Sequence, residues 1–366
     1  MRIHVVTASA RFTGGRLALL RHADELGRRG HAVTVWVTSA TPRFDWMKLS
    51  VPVLRWSKRA WEAMPAADVC LFDRPRLALP LWRSRRGAVV HVCQGFEGTD
   101  AESRITAVFA SRLRLGGLPE LWRSWRRLRE IDRAYSLPTA KIVTHRHLGE
   151  VIARRYRQTS IFVPYGLPHG VFHPLAHRDY HGRTVLVVGP ADTGWKRISD
   201  ALESVRLLKN AQPSVRLLRV AQHPMREAER SIAVTDEYHT MLGPQAIADI
   251  YRRADVVALP SNATEGFGLP ALEAMACGTP LVLTDIPAFR TFATPDDYAH
   301  FVPVGRPDLM AQALACLLDD PTERSRLSTR GQAVAAGYAM ERSFDAMECA
   351  LMQIVAYGPV SRRLAG

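Results

Sequence analysis

An α/β protein of two similar units, each a parallel sheet with helices on both faces, is predicted by three observations. The first is a strand, turn, helix, strand succession over residues 3–37. The second is the same scheme restarting at Arg183. The third is a run of turn formers between them, from Pro164 to Gly170. With 366 residues, the chain has room for two domains of ordinary size.

The elements follow in order. Residues 3–7 are a short apolar strand, and Thr13, Gly14 and Gly15 form the turn after it. Leu17, Leu20, Ala23 and Leu26 recur at helical spacing, which predicts a helix over 16–29, and Gly30 stops it. Residues 32–37 are the next strand, followed by strands at 68–72, 88–92, 140–144 and 160–163. In the second half, residues 183–189 form the first strand and 199–208 a helix, with strands at 215–220, 256–259 and 280–284. A helix is predicted over 270–277, with Pro270 at its first position, Gly278 as a left-handed stop and Pro280 barring continuation. A last helix is expected over 340–357, followed by a loose tail from 358 to 366.

Hydrophobic content of 47% and charged content of 23% belong to a globular protein. Cys70, Cys93, Cys277, Cys316 and Cys349 are scattered with no CxxC pair, which argues against a disulfide framework or a zinc site and suits a reducing compartment. The first residues lack the long apolar core of a signal peptide, and no apolar run reaches 18 residues. A cytoplasmic protein is expected, soluble or peripheral at the inner face of a membrane.

The net charge is +14, and residues 101–160 alone carry 13 Lys+Arg against 5 Asp+Glu. Such a concentration attracts anionic surfaces: membranes, nucleic acids or acidic substrates. No zinc motif, RNP string or helix-turn-helix pattern supports nucleic acid. Within the patch, Leu118, Leu121, Trp122, Trp125, Leu128 and Tyr135 are read as one helical face, with Arg123, Arg126, Arg127 and Arg133 elsewhere. Two arrangements fit: this face in the core with a solvated basic side, or this face down on an anionic bilayer.

The most informative stretch is 263–282. Glu265 lies in a glycine-bearing turn, eight positions before Glu273 on the helix that follows. Free amides and the positive dipole end at the helix entry, through Gly266, Phe267 and Gly268, make an anion site. Two carboxylates there would repel a phosphate unless they hold neutral parts of its ligand. Hydroxyls are the natural partners, since an ionised carboxylate only accepts hydrogen bonds. A sugar joined to a diphosphate meets both demands; a surface helix with two solvated glutamates is the plain alternative.

This stretch resembles the E-x7-E signature of retaining GT-B glycosyltransferases, specifically glycosyltransferase family 4. The surround agrees, with a helix end and buried strand over 252–261 and the next strand at 281–284. The resemblance implies a GT-B fold, two Rossmann-like domains whose parallel sheets face across a cleft. Residues 1–164 would be the acceptor-side domain, 175–339 the nucleotide-sugar-binding domain, and 340–366 a helix crossing back to the first. The linker resembles the family's interdomain connection, although Tyr165 stands where Asn is frequent and Pro168 where Asp is frequent.

The resemblance also assigns roles. Glu265 touches hydroxyls of the donor sugar, and Glu273 holds the ribose hydroxyls of the nucleotide. Amides near Gly266, Phe267, Gly268 and Leu269 meet the sugar or phosphates. Lys196 meets the donor diphosphate, where a fixed cation offsets the charge left on the departing phosphate; the plain alternative is a solvated lysine at a helix start. Gly14 and Gly15 match the family's glycine-rich loop over the donor phosphates, though a simple tight turn also fits. Many members carry an arginine shortly before the lysine; residues 190–194 contain none, leaving Arg197 as the substitute. Many also end the strand at 88–92 with a histidine. Gln94 holds that place here, and His91 inside the strand reads as buried and satisfied. Gln94 and Glu97 are the acceptor-side candidates, in a string similar to one in some rhamnosyltransferases of the family.

The implied reaction moves a hexose or deoxyhexose, with retention, from a nucleoside-diphosphate sugar to a saccharide or lipid-linked glycan. The leaving phosphate takes the acceptor proton. No cofactor and no metal are expected, since the nearby chain has no DxD-type carboxylate pair. A non-catalytic sugar-nucleotide or glycan-binding protein on the same scaffold is the competing class.

Overall fold

The apolar stretches pair into two sheets, and every strand pairing in both is parallel. The computed structural model describes residues 1–10, 13–38, 44–56, 64–99, 101–102, 105–106, 118–175, 183–232 and 235–358. Of the tail expected over 358–366 all but Gly358, and most of residues 100–117, lie outside the described residues.

The chain divides into two compact units, one of Met1–Gly166 with the segment from Glu341 onward, the other of Leu167–Met340. The first runs β1 (Arg2–Thr7), α1 (Gly14–Arg28), β2 (Ala32–Val37), β3 (Val53–Arg55), β4 (Val69–Phe72), α2 (Pro75–Ser84) and β5 (Ala88–Cys93). It continues with α3 (Leu118–Ser136), β6 (Ala140–Val143), α4 (Arg146–Tyr156) and β7 (Ile161–Phe162). The second unit runs β8 (Thr184–Val188), α5 (Ile198–Ala211), β9 (Arg216–Ala221), α6 (Glu227–Arg230), β10 (Glu237–Thr240) and α7 (Pro244–Arg253). Then come β11 (Val256–Leu259), α8 (Leu269–Ala276), β12 (Leu281–Thr284), α9 (Pro287–Arg290), β13 (His300–Val302), α10 (Pro307–Asp319) and α11 (Pro321–Ala336). The last helix is α12 (Met340–Tyr357).

The strand orders are β3-β2-β1-β4-β5-β6-β7 and β10-β9-β8-β11-β12-β13. Each sheet starts in the middle, winds one way, then reverses, so each has a switch point: between β1 and β4, and between β8 and β11. Sheets of this kind are covered on both faces, which is why β8 is buried at every position and reads as an unbroken apolar run. In β1 the two-residue period sends Ile3 and Val5 to a core shared with Leu19, Leu20 and Leu26 of α1, and Val6 to another with Leu77 and Leu81 of α2.

Strands β3, β10 and β13 were not among the sequence expectations; they are three or four residues long at or near sheet edges, too short to carry a period. Helix α1 begins at Gly14 rather than residue 16, because Thr13 caps it by accepting the Arg16 amide at 3.2 Å. Gly30 ends it with φ +88. Helix α8 begins at Leu269, which puts Pro270 second.

The face expected of α3 is wrong in part. Tyr135 is buried, but Trp122 is 59% and Trp125 50% exposed, and the inward positions are Ser124, Ile131, Ala134 and Tyr135. Helix α12 joins the first unit: Met347, Ala350, Leu351 and Ile354 enter the core of α1 and β1. Glu348 takes hydrogen bonds from Arg29 and His31, each at 2.7 Å, and Ser343 donates to the Pro164 carbonyl at 2.6 Å. Leu351→Ala is expected to cost about 2–5 kcal/mol, the range for emptying a sealed leucine site. The measure is urea unfolding followed by circular dichroism, and an unshifted midpoint would show that α12 does not seal this core.

Candidate functional site

The two switch points are where the chemistry-bearing side chains gather. In the second unit, β8 ends at Val188 and Gly189 turns the chain at φ +130. A single 3-10 turn, Gly194–Lys196, then delivers the chain to α5. Arg197 joins them in the left-handed region, φ 47 and ψ 38, where a residue with a Cβ is under strain. Its Nε donates to Asp200 at 2.6 Å. Arg197 is thus turned to Asp200 of its own helix.

From the other side of the switch point comes the loop after β11. The Asn262 amide donates to the Trp195 carbonyl at 2.8 Å, binding this loop to the 3-10 turn. The Asn262 side chain accepts the Thr264 amide at 2.9 Å, and its carbonyl accepts the Glu265 amide at 2.9 Å. With both loops fixed, Lys196 Nζ lies 2.6 Å from Glu265 Oε2, and Ser261 Oγ donates to the same oxygen at 2.8 Å. The two side chains keep only 18% and 8% of their surface in solvent. Lys196 is therefore a paired cation, not a solvated one.

Burial alone would push the Glu265 carboxyl up. The Lys196 charge, with hydrogen bonds from Lys196, Ser261 and the Gly266 amide, outweighs it and holds the group below its ordinary value of 4.5. Gly268 follows at φ +85, and a Cβ there would lie 2.3 Å from the Phe289 ring. That glycine lets the loop fold into α8. Phe267 turns inward onto Phe292 and Tyr338, with ring centroids at 5.2 and 5.9 Å, so its side chain is committed to the core. Glu273, one turn into α8, is half-buried and accepts from the buried Tyr251 hydroxyl at 2.9 Å.

The first unit repeats the plan with other chemistry. Gly14 and Gly15 are the first turn of α1, at the carboxyl end of β1, not a separate loop. Gln94, after β5, donates to the Gly15 carbonyl at 2.6 Å, and a Cβ on Gly15 would meet the Gln94 Oε1 at 1.8 Å. A side chain at Gly15 would displace the Gln94 amide from this bond. Glu97 accepts from the Tyr135 hydroxyl at 2.9 Å, and burial pushes its carboxyl up. His91 is fully buried as read, but it is not satisfied. Neither ring nitrogen has a hydrogen-bond partner, and the ring stacks on Phe72 at 4.4 Å. Burial drives its pKa well down, so it is a neutral core ring.

A cluster of three residues here, Thr7, Arg16 and Asp73, escaped sequence reading. Asp73 directly follows β4, across the switch point from β1. Thr7 donates to its Oδ2 at 3.2 Å, and Arg16 approaches to 3.6 Å while donating to Thr7 at 2.9 Å. Burial raises the Asp73 carboxyl against the pull of Arg16 and Arg74. The available signal was the polar residue that breaks the apolar run at the carboxyl end of a strand. Among the described residues, no three His, Cys, Asp or Glu side chains group as a metal site.

Two doubly wound parallel sheets with polar loops at their switch points define the class: this is the GT-B fold. Within it, residues 182–320 match the family described as Glycosyl transferases group 1. A phosphatidyl-myo-inositol mannosyltransferase of Mycobacterium tuberculosis is 32% identical over 205 residues, 53% of this chain and 54% of that protein. A D-inositol 3-phosphate glycosyltransferase of Kineococcus radiotolerans is 42% identical over 109 residues, 27% of this chain and 25% of that one. The chain thus matches about half the length of the mannosyltransferase. Among solved structures, sucrose-phosphate synthase from Thermosynechococcus elongatus superposes with TM-score 0.75 at 17% identity, covering 97% of this chain and 100% of that one. Anabaena HepE in complex with UDP-glucose superposes with TM-score 0.75 at 12% identity, covering 96% and 100%.

Lys196→Met removes the cation that offsets burial, so the Glu265 carboxyl is expected to rise. In the wild type its folded value lies below the unfolded one. The pair therefore stabilises the fold above the ordinary 4.5 and loses that contribution as pH falls through the folded value. Urea unfolding should show the variant weaker by about 1–3 kcal/mol near neutral pH, less than a sealed pair because part of Lys196 meets solvent. The gap should close in acid; a gap that widens in acid would refute the pairing.

Proposed function

We propose that the chain is a retaining, metal-independent hexosyltransferase of glycosyltransferase family 4. It moves a hexose or deoxyhexose from a nucleoside-diphosphate sugar to a saccharide or lipid-linked acceptor, peripheral to the inner face of a membrane. The observation that carries this reading is the Lys196–Glu265 contact at the second unit's switch point, beside the entry of α8.

A lysine and a glutamate 2.6 Å apart neutralise one another until a ligand with both kinds of group arrives. Sugar hydroxyls donate to Glu265 while the diphosphate takes the Lys196 charge, and amides near Gly266, Phe267, Gly268 and Leu269 meet the sugar or phosphates. As the anomeric bond breaks, negative charge grows on the departing phosphate, and Lys196 is already in place to stabilise it. Glu273, oriented by Tyr251, takes the ribose hydroxyls. In the first unit, Gly14 and Gly15 are assigned to the donor phosphates, and Gln94 and Glu97 to the acceptor. The relatives' names favour mannose-type donors and inositol- or lipid-bearing acceptors as first trials.

Lys196→Ala is expected to lower kcat by about 10²–10³, the usual effect of removing one fixed donor to a developing anion. Glu265→Gln should act mainly on kcat, and Glu273→Gln mainly on donor KM. The measurement is steady-state release of nucleoside diphosphate from UDP-, GDP- and dTDP-sugars with added acceptor. Donor-induced thermal stabilisation without product under any pairing would favour the competing class, a non-catalytic sugar-nucleotide binder.

A further inference from the structure

On α3, positions 122, 126, 129 and 133 share one stripe, and they hold Trp122, Arg126, Arg129 and Arg133, all exposed. Trp125 stands beside the stripe, also exposed. The opposite stripe, Ser124, Ile131 and Tyr135, is buried. The helix is thus already anchored by one face, and its indoles lie on the other, among the arginines. The Arg126 guanidinium lies 5.5 Å from the Trp122 ring centroid, and that of Arg129 lies 4.6 Å from Trp125. Among the described residues no carboxylate pairs with Arg126, Arg129 or Arg133, so their charge is available to a partner.

Beside this stripe a groove of about 670 Å³ runs between α2 and α3. Leu79, Pro80 and Ala134 give it apolar surface, and Arg76, Arg129 and Arg133 supply three cations against one carboxylate, Glu130. Apolar surface rimmed by guanidinium groups suits a molecule with a hydrocarbon part and a phosphate.

We propose that the Trp122–Arg133 face of α3, with the groove beside it, docks on an anionic lipid bilayer. The indoles sit at headgroup depth, where an apolar ring with a polar edge is at home. Arg126, Arg129 and Arg133 meet lipid phosphates, and the groove receives one headgroup. Single-stranded nucleic acid would also draw on arginines and aromatics, but it stacks bases on open ring faces, and here guanidinium groups lie over both indoles. The inference rests on the peripheral placement proposed above and is independent of the donor chemistry.

The test is co-sedimentation of the full chain with vesicles of equimolar phosphatidylglycerol and phosphatidylcholine, against phosphatidylcholine alone, at low and moderate salt. Binding should require phosphatidylglycerol and weaken with salt. Arg129→Ala and Arg133→Ala should each reduce the partition coefficient about fivefold. Trp122→Ser/Trp125→Ser should abolish quenching of tryptophan emission by brominated lipid chains. All variants should keep the wild-type urea-unfolding midpoint, which shows that they fold. Equal vesicle binding by wild type and variants would overturn this face while leaving the peripheral placement intact. No binding by the wild type to phosphatidylglycerol would overturn both. Oligonucleotide binding that depends on the two tryptophans, without vesicle binding, would assign the face to nucleic acid.

Discussion

Keeping a carboxylate ionised away from water requires a cation held at a fixed distance, and that requirement shapes the second unit from β8 to α8. Glu265 is nearly sealed, and Lys196 is the charge that keeps it below its ordinary pKa. The lysine reaches it because Arg197 accepts a left-handed backbone and lets α5 start immediately. The glutamate is presented because Asn262 binds its own loop and the Trp195 carbonyl together. Behind both lies the sheet order, since only a reversal between β8 and β11 leaves room for two loops to meet at the strands' carboxyl ends. Strain at Arg197 is thus a cost of placing Lys196, and the ion pair is one of the interactions that offset it.

The first unit has the same reversal between β1 and β4 and fills it differently. Its central acid, Asp73, is raised by burial despite Arg16, and Glu97 is raised likewise. The second unit's Glu265 is held down. One switch point therefore carries a carboxylate fitted to accept hydrogen bonds at neutral pH, while the other carries carboxyls for which ionisation is costly. The raised carboxyls are held by Tyr135, which donates to Glu97, and by Thr7 and Arg16, which face Asp73.

Much of this was legible because the relevant signals are local. Gly278 takes the left-handed angle that the turn chemistry asked for, and β8 and β11 are the apolar runs that sheets covered on both faces demand. What could not be read depends on partners distant in sequence. Tyr251 reaches Glu273 from 22 residues away, Asp73 finds Thr7 and Arg16 across 66 and 57, and Gln94 fixes Gly15 across 79. His91 shows the reverse error. A histidine inside a buried strand suggests a bonded one, yet its neighbours are Phe72 and Tyr135 rings, and stacking replaces hydrogen bonding.

Helix α3 shows why composition misleads about direction. Its largest apolar residues, Trp122 and Trp125, read as one face with Leu118, Leu121, Leu128 and Tyr135, either packed in the core, as burial of an indole favours, or laid on a bilayer. The structure turns the helix by its smaller residues instead. Ser124, Ile131, Ala134 and Tyr135 fit against the sheet and α2, and an indole in the stripe of Ser124 would overfill that seam. Close packing fixed the inward face, and the tryptophans were left outward, each beneath a guanidinium that covers part of its ring. Two exposed indoles on one cationic stripe are thus compatible with the fold but are not required by it. Their arrangement calls for an explanation outside the folded chain, and an anionic interface supplies one that uses the aromatic and the charged groups together.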